Sequence, residues 1–334
     1  MVSVVYASSV EFAQVLLVSV TSLLSNKKPE TEYNVYVLVE RPFPKEIAGL
    51  FTELFKKNPG CRLNWIEMGD RFKRTLVDAA GVGKESNYRL ALPEILQEDR
   101  CIYLDADTLV LKDLTSFYEF DITGFFLAGI HPNYFLNKVT EGYSHAHFDF
   151  YGKLITKFAG ELRYDQYIGA GVMLMNLSLL RDQDMSRRFY REIPLRSGPL
   201  DQDILNACCY GKIKDLPVEY CVDLHDTEDI SWYDANMPEK AALIHQAIDA
   251  PCVIHFSDRY KPWRRMGVRF EKNWWYYAFI SEAADVLWNE FRNRCNIPQD
   301  FYEKKYNTVI NSLSYKVGRA ITYIPRKIIN RRRY

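Results

Sequence analysis

Short β-branched runs alternate with helical patterns along the first half of this chain, and no other feature limits its fold as strongly. Val2-Ser3-Val4-Val5-Tyr6 reads as a strand, and Phe12 to Ser25 reads as a helix. Val35-Tyr36-Val37-Leu38-Val39 is a second strand, followed by a helix over Pro44 to Lys57 with proline at its start. Leu63-Asn64-Trp65-Ile66 gives a third, shorter strand, and a helix follows at about Tyr88 to Leu96. Cys101 to Leu104, Phe125 to Ile130 and Val172 to Asn176 are further strand-like runs. Several of these runs are continuously apolar, as strands covered on both faces are. The pattern predicts an α/β fold with a doubly wound, mostly parallel sheet. In such sheets ligands sit beyond the carboxyl ends of the strands.

A length of 334 residues suits one large α/β domain, or one domain plus an appendage. The chain divides into a main domain, 1–265, and a C-terminal helical, basic segment, 266–334. Asn273 to Arg294 reads as helical, and His131 to Tyr167 as an irregular, aromatic-rich excursion that forms a lid or an acceptor side. The apolar stretch Phe12 to Leu24 has no basic segment before it and follows an apparent strand. It is read as the first crossover helix and not as a secretory signal. No run reaches the length of a membrane-spanning helix. Seven cysteines, none in Cys-x-x-Cys spacing, read as reduced core thiols of a cytosolic protein. Net charge is zero, but no acid follows Glu303, whereas nine Lys and Arg do. Tyr323, Ile324, Ile328 and Ile329 interleave with that charge. The mixture suits an anionic membrane surface better than a phosphate backbone, so no nucleic-acid partner is expected.

The strand Cys101 to Leu104 runs into Asp105-Ala106-Asp107. In extended chain, residues i and i+2 point to one side, so Asp105 and Asp107 converge and repel. A hard divalent cation relieves that repulsion and leaves coordination positions for phosphate oxygens. An Asp-rich turn is the plain alternative. Three later segments are equally ambiguous taken singly. Ile168-Gly169-Ala170-Gly171-Val172 is a turn or a place where a ligand meets backbone. Leu200-Asp201-Gln202-Asp203-Ile204-Leu205-Asn206 opens a helix to about Tyr210, with Asp201 as its cap. Val253-Ile254-His255-Phe256, followed by Lys261-Pro262-Trp263, holds either a core histidine and a surface lysine or a metal ligand and a phosphate partner.

In this order and spacing the four segments resemble glycosyltransferase family 8, the retaining sugar transferases, over residues 1 to about 265. The resemblance implies a glycosyltransferase-A-like fold and transfer of galactose or glucose from a UDP-hexose to an oligosaccharide or lipid-linked glycan acceptor. It implies that Asp105, Asp107 and His255 hold Mn²⁺, with Mg²⁺ as the alternative, and that Lys261 pairs with the donor phosphates. Ala7, Ser9, Phe12, Arg89, Ala106, Gly169, Ala170 and Gly171 would line the donor site. Asp201 would bind sugar hydroxyls and Gln202 would face the anomeric carbon. The chain departs from the family where an acidic pair usually ends the first strand: Ala7-Ser8-Ser9 stands there. Gly169 replaces an expected Asn, Asp258 lies where Gly is common, and His131 stands where an acid often meets the sugars. A catalytically weak, sugar-nucleotide- or glycan-binding relative is the alternative function. The basic tail would place the protein in the cytoplasm, peripheral on the inner face of the plasma membrane.

Overall fold

The computed structural model describes residues 1–72, 83–131, 167–193, 201–228, 230–281 and 283–295. Its strands are β1 (Val2–Ala7), β2 (Tyr33–Val39), β3 (Arg62–Glu67), β4 (Arg100–Asp105), β5 (Thr108–Val110), β6 (Leu127–Gly129), β7 (Val172–Asn176), β8 (Ile213–Asp215), β9 (Val222–Asp223) and β10 (Val253–His255). Contacts divide the chain into two units, Met1–Lys261 and Pro262–Tyr334.

In the first unit a seven-stranded sheet has the order β3-β2-β1-β4-β7-β6-β8. β1 pairs in parallel with β2 and β4, β2 with β3, and β6 with β8. β7 alone runs against its neighbours, β4 and β6. The sheet is therefore mostly parallel, as expected, with one reversed strand that apolar runs do not encode. The centre of the sheet is fully covered. Every residue of β1 is buried, and each aliphatic side chain so covered contributes about 1.5–3 kcal/mol.

The crossover from β1 to β2 is α1 (Ala13–Ser25), preceded by a short 3₁₀ turn at Val10–Phe12. α1 is buried almost all round, so its few polar residues need partners inside the protein. Ser19 Oγ lies 3.0 Å from Thr108 Oγ1, Ser22 Oγ accepts from Val110 N at 2.9 Å, and Asn26 Nδ2 donates to Val110 O at 2.9 Å. All three tie α1 to β5. The expected helix over Tyr88 to Leu96 instead begins as a 3₁₀ helix at Lys84–Ala91 and finishes as one α turn, Leu92–Ile95. Pro93 has no N–H to continue an α ladder into the preceding turn.

β5, β10 and β9 form a second, three-stranded sheet, which the sequence reading did not anticipate. β10 runs antiparallel to β5, with His255 opposite Thr108, and parallel to β9, with His255 beside Asp223. This small sheet brings residue 255 back to the Asp-x-Asp turn.

In the second unit the stretch Asn273 to Arg294 is helical, as expected, and consists of two helices, Glu271–Ile280 and Ala284–Cys295. Ser281 ends the first: its Oγ donates to Ala278 O at 2.9 Å. Trp275 sits at the centre of an aromatic cluster, 4.9 Å from Trp274, 5.1 Å from Trp288 and 5.6 Å from Phe291 between ring centres. Among the described residues, Cys61, Cys101, Cys208, Cys209, Cys221 and Cys252 form no disulfide. Most of the irregular stretch 131–167 and the basic tail fall outside the described residues.

Candidate active site

Asp105 is the last residue of β4, and Ala7, the last residue of β1, is its register partner. The carboxyl ends of the central strands therefore meet at the Asp-x-Asp turn. Asp105, Asp107 and His255 each aim one ligand atom into a cluster no more than 4.8 Å across. His255 Nε2 lies 3.3 Å from Asp107 Oδ1 and 3.7 Å from Asp105 Oδ2. Donor atoms bonded at right angles to one small divalent ion at roughly 2.1 Å stand about 3 Å apart, so the set fits such an ion with little adjustment. Two carboxylates and an imidazole suit Mn²⁺ chemically.

The other atoms of the three side chains are engaged. Asp105 Oδ1 accepts from Arg89 Nη2 at 2.9 Å and from Tyr103 Oη at 3.1 Å. Asp107 Oδ2 accepts a short bond from Lys261 Nζ, which also donates to the Phe256 carbonyl. His255 Nδ1 is 2.8 Å from Asp223 Oδ2. Burial by itself raises the pKa of Asp107, but Lys261 and His255 outweigh it and hold the carboxyl below its ordinary value. For His255 burial acts downward. The Asp107 and Asp223 carboxylates overcome it and push the imidazole up to about 10.

Gly171 makes room for a side chain of the protein itself. A Cβ there would fall 2.3 Å from His255 Cε1, so the imidazole lies directly on the glycine. Its carbonyl also accepts from Asp105 N at 2.8 Å. One residue thus seats a ligand from β10 and anchors another from β4. Gly169, by contrast, has open space: the nearest atom to an added Cβ is the Ile130 carbonyl oxygen at 3.9 Å.

Arg89 is buried beneath this cluster. Its Nε donates to the Ser86 carbonyl at 2.8 Å and lies 2.9 Å from Asp201 Oδ2. Nη1 bonds the Ala170 carbonyl, and the guanidinium sits 4.4 Å above the Tyr103 ring. It is an electrostatic strut between Asp105 and Asp201. Asp201 is the first residue of the helix Asp201–Cys208 and turns inward onto Arg89, a use its expected capping role did not foresee. Burial raises its pKa by more than Arg89 lowers it.

Gln202 is held at both ends of its amide. Oε1 accepts from Ala170 N at 2.9 Å, and Nε2 donates to Tyr167 Oη at 2.9 Å. Tyr167 in turn donates to the fully buried Asp203 at 2.8 Å. Of the remaining predicted positions, Ala106 is buried between the two acids, and Ser9 and Phe12 are half-buried on the turn after β1. Glu11, on that same turn, has its pKa lowered first by a hydrogen bond from Ser9. His131 bonds Asp215 through Nε2 and faces the Tyr167 carbonyl through Nδ1 at 2.7 Å, so β8 brings an acid to that position. Asp258 takes a left-handed φ of 47°, a conformation that glycine adopts without steric cost. Sequence reasoning missed Asp223, Tyr103, Tyr167 and Asp203. Tyr103 and Asp203 lie inside segments already singled out, and Tyr167 directly before the Ile168-Gly169-Ala170-Gly171 run, whereas Asp223 carried no local signal.

The sequence model of glycosyl transferase family 8 matches residues 3–267. The chain belongs to this family. Membership places it among the glycosyltransferases. General stress protein A of Bacillus subtilis is 22% identical over 250 residues, spanning 72% of this chain and 80% of that protein. Glycosyltransferase GlyA of Streptococcus pneumoniae is 25% identical over 194 residues, which cover 57% of this chain but only 23% of GlyA. Among solved structures, the bifunctional glycosyltransferase WbbM superposes with a TM-score of 0.69 at 19% identity, covering 86% of this chain and 51% of that one. The galactosyltransferase LgtC, solved with donor and acceptor sugar analogues, superposes with a TM-score of 0.61 at 20% identity, covering 90% and 99%. Among the described residues, no helix is long and apolar enough to cross a membrane.

Proposed function

We propose that the protein is a metal-dependent, retaining hexosyltransferase that moves galactose or glucose from a UDP-sugar to a glycan or lipid-linked acceptor. The convergence of Asp105, Asp107 and His255 at the carboxyl end of β4, with Lys261 against Asp107, carries this reading. A bound Mn²⁺ supplies Lewis-acid neutralisation of the leaving diphosphate. Asp105 and Asp107 supply the charge that holds it, and His255 the neutral nitrogen. Lys261, already anchored to the Phe256 carbonyl, adds a cation where phosphate charge grows as the glycosidic bond breaks. Asp201, the residue proposed to meet the sugar hydroxyls, is buried with its Oδ2 2.9 Å from Arg89 Nε.

LgtC has been solved as a glutamine-to-glutamate active-site mutant, and Gln202 is the corresponding candidate in this chain. Its amide is a weak nucleophile, and backbone Ala170 N and Tyr167 Oη hold it in one orientation. That restraint favours an electrostatic role beside an oxocarbenium-like centre. The leaving phosphate then takes the acceptor's proton on the same face, and configuration is retained. The first-strand turn offers Ser9 and Glu11 in place of the acidic pair, which favours a second reading, a weakened relative that binds sugar nucleotides or glycans. Incubation with UDP-galactose and UDP-glucose in Mn²⁺ separates the two. Metal-dependent release of UDP with an α-configured product supports the transferase. Binding without turnover supports the module, and a β-configured product refutes retention.

The basic tail holds the enzyme at the inner, anionic leaflet in this proposal. Arg326, Lys327, Arg331, Arg332 and Arg333 supply charge, at roughly 1 kcal/mol each near such a surface. Removal of the chain from Ser312 onward should abolish sedimentation with anionic vesicles while UDP-sugar hydrolysis persists. Equal sedimentation of both forms would refute it.

A further inference from the structure

We propose that Asp223 is a positioning residue that sets the tautomer and the aim of His255; the inference rests on the metal site proposed above. β9 and β10 are parallel neighbours, and their register sets Asp223 directly beside His255. Asp223 Oδ2 is 2.8 Å from His255 Nδ1. An acceptor at that distance keeps the proton on Nδ1 and leaves the Nε2 lone pair for a cation, on the side facing Asp105 and Asp107.

The carboxylate is itself fixed. Its other oxygen, Oδ1, accepts from His225 N at 2.9 Å and takes a short bond from Ser257 Oγ. Gly171 lies against the imidazole at Cε1, between the two ring nitrogens, and leaves no room there for a side chain. The Asp223 bond at Nδ1 and this close packing at Cε1 together restrain the ring.

A purely structural use of Asp223 competes with this. Its Oδ1 bond to His225 N caps the short helix Leu224–Glu228, and that alone would justify an acid at this position. The two uses belong to different oxygens, and substitution can part them. In Asp223→Asn the amide oxygen keeps the His225 and Ser257 bonds, and the NH₂ group then faces His255 Nδ1. Two donors cannot face each other, so His255 shifts its proton to Nε2, where it blocks a metal ion. The cap survives, because Asn and Asp cap equally well.

The test uses the full-length chain and Mn²⁺ alone, with free aquo-Mn²⁺ followed by its electron paramagnetic resonance signal. Asp223→Asn should weaken Mn²⁺ binding by roughly 10–100-fold, with the unfolding midpoint in EDTA close to that of the native chain. Ser257→Ala, which removes one of the bonds holding the carboxylate, should weaken it several-fold in the same direction. If Asp223→Asn does not fold, Ser257→Ala decides. Unchanged Mn²⁺ affinity in the folded variants overturns the inference while leaving the metal site standing. Affinity lost only in proportion to thermal stability makes Asp223 a cap and also overturns it. A native chain that binds no Mn²⁺ overturns the metal reading and this inference together.

Discussion

Gly171→Ala should dismantle the metal site while leaving the fold in place. The added Cβ would sit 2.3 Å from His255 Cε1 and 2.8 Å from both ring nitrogens. Ordinary carbon contacts begin near 3.5 Å, so the imidazole must retreat by about 1 Å or β7 must shift. Neither movement is harmless. Retreat stretches the 2.8 Å bond to Asp223 and displaces Nε2 from Asp107, whereas metal–ligand distances tolerate only about 0.2 Å. A shift of β7 instead disturbs the 2.8 Å bond from Asp105 N to the Gly171 carbonyl and moves another ligand. Overpacking of this kind costs about 1–3 kcal/mol of stability, a fall of several degrees in unfolding midpoint for a domain this large. Mn²⁺ affinity should fall by a factor of 10–100 or more, by analogy with the loss of ligand-orienting contacts. Titration of Mn²⁺ by paramagnetic resonance, beside thermal unfolding in EDTA, measures both. Gly169→Ala is the control, since open space there predicts an unchanged metal affinity. Native Mn²⁺ affinity in Gly171→Ala, within twofold, would refute the packing of His255 on Gly171.

Asp107→Asn removes ligand charge without changing shape, and sugar transfer should fall at least 100-fold at unchanged circular dichroism; near-native activity with native metal affinity would make the cluster irrelevant to catalysis. Tyr167→Phe frees one end of the Gln202 amide, and kcat should drop about tenfold with little change in KM, as steady-state kinetics would read. Asp113, beyond the opposite end of β5 from the Asp-x-Asp turn, gives a separate pH signature. Burial acts to raise its pKa, but hydrogen bonds led by that from Thr115 and that from Lys28 N bring it down to about 2, against an ordinary 3.8. A depressed carboxyl contributes stability above its unfolded pKa and loses it as pH falls through the folded one, so the window runs from about pH 4 to pH 2. The full difference is at most about 2.5 kcal/mol, and partial exposure reduces it to about 1 kcal/mol. Urea unfolding should find Asp113→Asn less stable than the native chain by that amount at pH 7, with the gap closing below pH 3.

The sequence by itself determined the alternation of strand and helix, the mostly parallel sheet and the ordered segments that hold Asp105, Asp107, Gln202, His255 and Lys261. Those features are local, because side-chain period and apolar runs report burial along one element at a time. The reversed direction of β7 was not legible, since a covered strand has the same composition whichever way it runs. Nor was the second sheet, whose strands are two or three residues long and join segments about 150 positions apart. That sheet decides the chemistry: it carries His255 to the Asp-x-Asp turn and sets Asp223 behind it. The roles of Gly171 and Arg89 likewise belong to the tertiary structure. A glycine before a strand marks a close approach but not what approaches, and here it is the imidazole. An arginine on a short helix reads as a surface charge or a ligand contact. Only the fold shows it buried between Asp105 and Asp201, where its charge compensates a buried carboxylate and a half-buried one.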